Sequence, residues 1–226
     1  MKTINKIKKN KIYKRKSIAN FYSNLLKKYG NNPKKALGRY DLEKSKKKFN
    51  FVYNHIDLLN SKKKLKILDI GCGIGQFIKF KKFTKKKTNY TGIDISKMSI
   101  DFCKKEFKNL GKFYHKDIFE KNKNHQLFLS NKKKFDIIFS LGTIEQKNYL
   151  SSKNNLIVFL ENSIKYAKKG SYIIFDYFYT ENLDFVNNDC NYLSLKQIIL
   201  ISKKFSEEIN LNFKVSKFEV LLSIKV

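Results

Sequence analysis

Residues 66–77 read KILDIGCGIGQF. A short apolar run closes on Asp69, and Gly71, Gly73 and Gly75 then fall at every second position. Backbone without side chains at the end of a strand admits close approach of a ligand, or a turn that a Cβ would oppose. The candidates are a nucleotide phosphate, a dinucleotide and a ligand that presents no phosphate. A dinucleotide fingerprint, G-x-G-x-x-G, needs its last glycine where helix and strand touch. Gln76 stands at that place. The phosphate-cradling G-x-x-x-x-G-K-[ST] is absent, and Asp69 would set a negative charge beside any pyrophosphate. Both phosphate readings are weak.

Working outward, β-rich runs alternate with amphipathic stretches. LKILDI precedes GQFIKFKKF, YTGIDI precedes MSIDFCKKEF, and KFYHKDI follows. FDIIFSL then precedes LIVFLENSIKYAKK, and SYIIFDYF precedes LKQIILISKKF. Apolar strands separated by helices predict a parallel sheet covered on both faces. The last stretch, INLNFKVSKFEVLLSIKV, leaves no room for a crossover helix between its two strand-like runs, so they pair antiparallel. The expectation is an α/β fold with five parallel strands and a C-terminal hairpin. Upstream, IANFYSNLLKKY and FNFVYNHIDLL carry helical spacing, with GNNPKKALG as a loop or broken turn between them. The chain therefore divides into a basic mobile tail (1–16), a helical cap (17–60) and a ligand-binding domain (61–226).

Ligands of an open parallel sheet bind beyond the carboxyl ends of its strands. Acidic residues are scarce, 19 against 49 basic, yet Asp69, Asp94 and Asp117 each close one of the first three expected strands. That placement points to a polar ligand offering hydroxyl and amino donors. The competing explanation for Asp94 and Asp117 is an ordinary turn or helix-cap aspartate.

ILDIGCGIGQF followed by YTGIDIS, YHKDIF and FDIIFSLGTIEQ resembles the class I S-adenosylmethionine-dependent methyltransferases, over residue 65 to the C-terminus. LGRYDLEKSKKKF resembles the N-terminal cap of bacterial small-molecule members. The resemblance implies a Rossmann-like, seven-stranded, mostly parallel sheet with an antiparallel C-terminal strand and helices on both faces. It implies S-adenosyl-L-methionine as cofactor and S-adenosyl-L-homocysteine as product. Gly71, Cys72, Gly73 and Gly75 would pass along the methionine part, and Asp69 would orient the loop and the ammonium group. Asp94 would accept both ribose hydroxyls, Ile95 would pack on the adenine, and Asp117 with the Ile118 backbone would read its edge. Ser140 opens the segment that floors the site beside the methyl group. Arg39 would pair with the cofactor carboxylate, with Tyr40 or Tyr22 closing over it. Glu145 is the candidate substrate contact or general base; many members carry Glu-His there, and Gln146 replaces the histidine.

The formal charge of +30 raises the question of a polyanionic partner. Arg15 and Arg39 are the only arginines, and Trp is absent. Abundant Lys, Asn, Ile, Phe and Tyr match A- and T-rich codons, whereas base readers favour arginine. The lysine runs, Lys46–Lys48 among them, read as solvated loops or helix ends. Amino-methylating nucleic-acid enzymes of this fold commonly carry [DN]-P-P-[YF], and cytosine-C5 enzymes a Pro-Cys nucleophile. Pro33 is the only proline, which excludes both. A small-molecule acceptor (metabolite, sugar or lipid-linked intermediate) is favoured over tRNA or rRNA, which the charge keeps open, and over a non-enzymatic cofactor-binding module. Cys72, Cys103 and Cys190 are odd in number and unpaired by spacing, as in a reducing cytosol. His55, His115 and His125 have no metal-ligand spacing, so no metal site is expected. No apolar run approaches the ~20 residues of a membrane span. A cytoplasmic enzyme is the expectation.

Overall fold

The computed structural model describes residues 17–30, 32–36, 41–59, 64–80, 88–119, 134–146, 150–181 and 190–226. The 1–16 tail, Arg39, Tyr40 and His125 lie outside them. The strands are β1 (Leu65–Ile70), β2 (Thr88–Asp94), β3 (Gly111–His115), β4 (Phe135–Ser140), β5 (Ala167–Tyr179), β6 (Tyr192–Leu193), β7 (Ile209–Ser216) and β8 (Glu219–Lys225). They form one sheet in the order β3-β2-β1-β4-β5-β8-β7, with β6 pairing the end of β5. β1 to β5 run parallel, and β8 pairs antiparallel with both β5 and β7. The expected parallel sheet with its C-terminal hairpin is therefore present. The two-residue β6 is additional: it is too short to show an alternating pattern in the sequence.

The helices are α1 (17–29), α2 (Pro33–Ala36), α3 (Leu42–Leu58), α4 (Gln76–Lys79), α5 (Lys97–Glu106), α6 (Ser152–Tyr166) and α7 (Leu195–Lys203). Side-chain caps start the longer ones. Asp41 accepts from Lys44 N, Ser151 from Asn154 N, and Ser194 forms a reciprocal capping box with Gln197. α2 occupies part of the expected loop, where Pro33 pre-sets φ for a first helical turn. The Lys46–Lys48 run is not a loop or helix end; it lies within α3.

Strand parity decides which residues meet. Leu68, Ile70, Ile138, Ile173 and Phe175 pack with Leu156 and Phe159 of α6 and Ile198 of α7 on one face. Ile67, Tyr90, Ile137, Phe139, Ile174 and Leu221 pack with Phe49, Val52 and Ile56 of α3, Phe77 of α4 and Ile100 of α5 on the other. The period of two then places Asp69 beside Ile67, Asp176 beside Ile174, and Glu219 beside Leu221, all towards α3. Three carboxylates thus share the face that the cap covers, at one end of the sheet.

Candidate active site

A cavity of about 400 Å³ opens beyond the carboxyl ends of β1, β2 and β4, under α1 and α3. Its wall includes Asp69, Gly71, Cys72, Gly73, Asp94, Ile95, Asp117, Ile118 and Glu145. The structure thus gathers most of the residues singled out from the sequence at one cavity, and Tyr22 of α1 joins them.

The glycine loop turns through left-handed backbone, with φ of 78° at Gly71, 52° at Gly73 and 75° at Gly75. The N–H groups of Gly71 and Cys72 both donate to Ile93 O, at 2.8 and 3.0 Å, tying the loop to the tip of β2. A Cβ on Gly71 would stand 2.0 Å from Thr143 Oγ1, so the turn is also a close packing contact with the segment after β4. Gly75 serves a different end. It is the N-cap of α4, its Cβ position points 2.6 Å from Phe107 Cε2, and it is not part of the cavity wall.

Asp69 is only 4% exposed and accepts from Tyr90 OH at 2.5 Å. Burial pushes its carboxyl up to about 7, against that hydrogen bond and helped by the nearby Asp94. Asp94 Oδ2 accepts from Gly73 N at 2.9 Å and Oδ1 from Ser96 N at 2.7 Å. Asp117 Oδ1 accepts from Phe119 N at 2.8 Å. The turn role and a ligand role are therefore not exclusive, because each carboxylate oxygen carries a second lone pair. Burial raises the Asp94 carboxyl above its usual range, opposed by the two backbone donors. The Cys72 thiol is pushed well up by its hydrogen bond with Cys103 and then by burial, so it stays protonated.

Ser140 is fully buried and donates to Ile70 O at 3.0 Å, joining the ends of β4 and β1 behind the wall. The segment that follows is held from two sides. Gly142 N donates to both Asp176 oxygens at 2.9 Å. Asn191 donates from its backbone to Glu145 O at 2.6 Å and from Nδ2 to Gln146 O at 2.9 Å. Glu145 is 4% exposed, and its Oε2 has no partner among the described residues. Burial, and then the negative charge of Asp176, push its carboxyl well above the usual range, although Lys48 acts the other way.

Sequence reasoning missed Lys48, Asp176 and Glu219. Lys48 Nζ donates to Asp176 at 2.5 Å and also to Glu219. Burial disfavours the Lys48 charge, but Asp176, Glu219 and Glu145 outweigh it and raise the group overall. Glu219 is pushed up to about 7 by burial and Asp176. One signal was available: Asp176 interrupts the apolar run IIFDYF, where an acid needs a partner. Asp136 lies away from the site, accepting from Lys66 N at 2.7 Å and pairing with Lys168. His55 is buried between Phe51 O and Ser223 Oγ, at 2.8 Å each. Among the described residues, no group of three or more His, Cys, Asp or Glu is placed to hold a metal ion, and no helix is long and apolar enough to cross a membrane.

Residues 61–222 match the family model described as a methyltransferase domain. Among solved structures, N-methyltransferase NodS from Bradyrhizobium japonicum WM9, in complex with S-adenosyl-L-homocysteine, is similar with a TM-score of 0.61 at 16% identity, covering 90% of this chain and 97% of that one. A S-adenosylmethionine-dependent methyltransferase from Clostridium acetobutylicum ATCC 824 gives 0.59 at 15% identity, covering 93% and 98%. Magnesium protoporphyrin IX methyltransferase (ChlM) from Synechocystis PCC 6803, with bound S-adenosylmethionine, gives 0.58 at 12% identity, covering 80% and 79%. At these identities the likeness is one of fold. A sequence search of curated proteins finds no match.

Proposed function

The chain belongs to the class I S-adenosylmethionine-dependent methyltransferases, and from that premise we propose that it methylates a small organic acceptor rather than RNA. The observation that carries this is an inversion of charge. The chain as a whole has 49 basic residues against 19 acidic. The described part of the cavity wall instead carries Asp41, Asp69, Asp94, Asp117, Glu145 and Glu219 against Lys44, Lys48 and Lys116. A polyanion needs the opposite lining. Among the described residues of the wall, acids thus outnumber lysines two to one. Two of the relatives described above are an N-methyltransferase and a porphyrin methyltransferase by name, in keeping with a small acceptor.

Bound S-adenosylmethionine supplies a methyl group made electrophilic by its sulfonium. The residues present fit such a ligand. Asp69, at the base of the wall, offers an anion for the ammonium group. Asp94 has lone pairs left for two ribose hydroxyls while its backbone donors hold it still. Ile95 and Ile118 supply apolar faces for the adenine, and Asp117 an acceptor for its amino group. Gly71, Cys72 and Gly73 present backbone along the methionine portion. Arg39 and Tyr40 stay candidates for the cofactor carboxylate and the mouth of the site, outside the described residues.

The protein's remaining tasks are alignment and exclusion of water. Glu145, which lines the cavity and whose carboxyl burial raises, is the candidate for a contact with the acceptor. Free, buried thiols at Cys72, Cys103 and Cys190 fit a reducing cytoplasm. The test is transfer from S-adenosylmethionine carrying a labelled methyl group, with RNA and low-mass metabolites from the same cells supplied separately. Label in the low-mass fraction supports the reading; label confined to RNA overturns it.

A further inference from the structure

Spacing along the chain does not pair Cys72 with Cys103, but the fold sets both sulfurs on one atom. Cys72 Sγ donates to Gly73 O at 3.9 Å, and Cys103 Sγ donates to the same oxygen at 3.3 Å. The two thiols also hydrogen-bond each other. Two glycines make room for them. A Cβ on Gly92 of β2 would stand 2.9 Å from Cys72 Sγ, and one on Gly75 would stand 3.3 Å from Cys103 Sγ. Cys190 lies elsewhere, bridged to Gln146 after β4.

Buried cysteines are often inert packing. This pair differs in being reachable from one side. Cys103, on α5, is 0% exposed and is not part of the cavity wall. Cys72 is 6% exposed and belongs to that wall. A small solute that enters the cavity ahead of the cofactor meets Cys72 first, with a second thiol in contact behind it. Gly71 and Gly73, on either side of Cys72, are the backbone assigned to the methionine portion, so a bound cofactor covers the thiol.

We propose that Cys72 and Cys103 are a redox-sensitive pair that closes to a disulfide when hydrogen peroxide reaches the cavity in the absence of cofactor, weakening the cofactor site until the bond is reduced. Protection by the cofactor rests on the methyltransferase reading of the site. Cys72 sulfur attacks the peroxide: an S–O bond forms, the O–O bond breaks and one water leaves. Cys103 sulfur then attacks Cys72 sulfur: the S–S bond forms, the S–O bond breaks and a second water leaves. The two thiols lose two electrons and two protons, and the peroxide becomes two waters. The attacking form is the thiolate. The hydrogen bond to Cys103, and then burial, hold Cys72 protonated, so the reaction is slow at neutral pH and quickens as pH rises. A disulfide draws the sulfurs closer than hydrogen-bonded thiols stand, and it removes both S–H donors from Gly73 O. Gly73 therefore shifts, and with it the N–H that holds Asp94 Oδ2 at 2.9 Å.

The test treats the full ligand-free chain with hydrogen peroxide at about pH 8, where thiolate is more plentiful, and maps its cysteines by mass spectrometry. The expected product has lost two hydrogens, joins the Cys72 and Cys103 peptides, and reverts with dithiothreitol. Saturating S-adenosylhomocysteine should slow its formation about tenfold or more. By calorimetry the oxidised chain should bind S-adenosylhomocysteine about tenfold or more weakly, and reduction should restore the affinity. Cys103→Ala should keep the affinity of the reduced chain and show neither the bond nor a loss that dithiothreitol reverses. Thiols left free in the folded chain, a bond through Cys190 or between two chains, formation unslowed by S-adenosylhomocysteine, or an oxidised chain of unchanged affinity overturns the proposal. A reduced chain that takes up no S-adenosylhomocysteine fails the cofactor reading, and with it the protection; the peptide map alone then decides the thiol pair.

Discussion

Lys48 and Asp176 are 128 positions apart in the chain and meet at 2.5 Å. Lys48 belongs to the cap and Asp176 to the fifth strand, so this contact fastens the cap over that end of the cavity. The Lys48 side chain is 13% exposed and that of Asp176 fully buried. Removing one partner of such a pair strands the other. Lys48→Met is therefore expected to cost about 3–5 kcal/mol, a fall in Tm on the order of 10 °C for a chain of this size. Adding Glu219→Gln should restore part of it. Thermal denaturation of the three proteins checks this, and an unshifted Lys48→Met denies the contact its role.

Gly71→Ala meets two obstacles, the left-handed φ of 78° and the overlap with Thr143. Backbone strain alone costs about 1–3 kcal/mol. Removing the Thr143 side chain as well, in Gly71→Ala/Thr143→Gly, should relieve the overlap and leave the strain. Partial recovery of Tm in the double variant is the expected result. Full recovery would mean that packing alone demands the glycine.

Asp94→Ala removes the acceptor for Gly73 N and Ser96 N along with the proposed ribose contacts. Hydrogen bonds to a charged group are worth about 1.5–3 kcal/mol each, so affinity for S-adenosylhomocysteine should fall about a hundredfold. Circular dichroism should show the secondary structure retained. Unchanged affinity would remove Asp94 from the ligand's contacts.

The raised carboxyls set a pH dependence. Asp69 goes from an ordinary value of 3.8 to about 7 on folding, and Glu219 from 4.5 to about 7. A carboxyl that holds its proton more tightly when folded stabilises the fold at low pH and loses that contribution as pH rises. The stabilisation is fully present below about 4 and is lost as pH passes through 7. Melting of the ligand-free protein should therefore fall between about pH 4 and 7, and Asp69→Asn should flatten the slope. An ammonium-bearing ligand works in the opposite sense, because it needs Asp69 ionised. Its affinity should rise with pH until about 7 and then level, as calorimetry across that range would show.

The sheet was legible because its strands are apolar runs broken by amphipathic helices, and buried parallel strands carry that pattern in one dimension. That three strand-end acids would gather at one cavity was legible for a related reason. Asp69, Asp94 and Asp117 are scarce acids at successive strand ends, a feature of spacing along the chain. The Lys48, Asp176 and Glu219 cluster depends on parity across distant strands, which spacing does not display. Lys48 is the last residue of a lysine run read as solvated, and α3 turns it inward while Lys46 stays outside with Glu43. Glu219 reaches the site only because β8 runs antiparallel to β5 and pairs it with Phe178. Ser140 and Gly75 moved the other way: both sit beside the site in sequence, but the turn of the chain puts them behind its wall.

The most direct test of the account is calorimetric titration of the purified, folded chain with S-adenosylhomocysteine at moderate salt. One molecule bound per chain, with binding lost in Asp94→Ala, is the predicted result. A folded protein that takes up none would contradict the assignment of the glycine loop and the strand-end carboxylates to this cofactor.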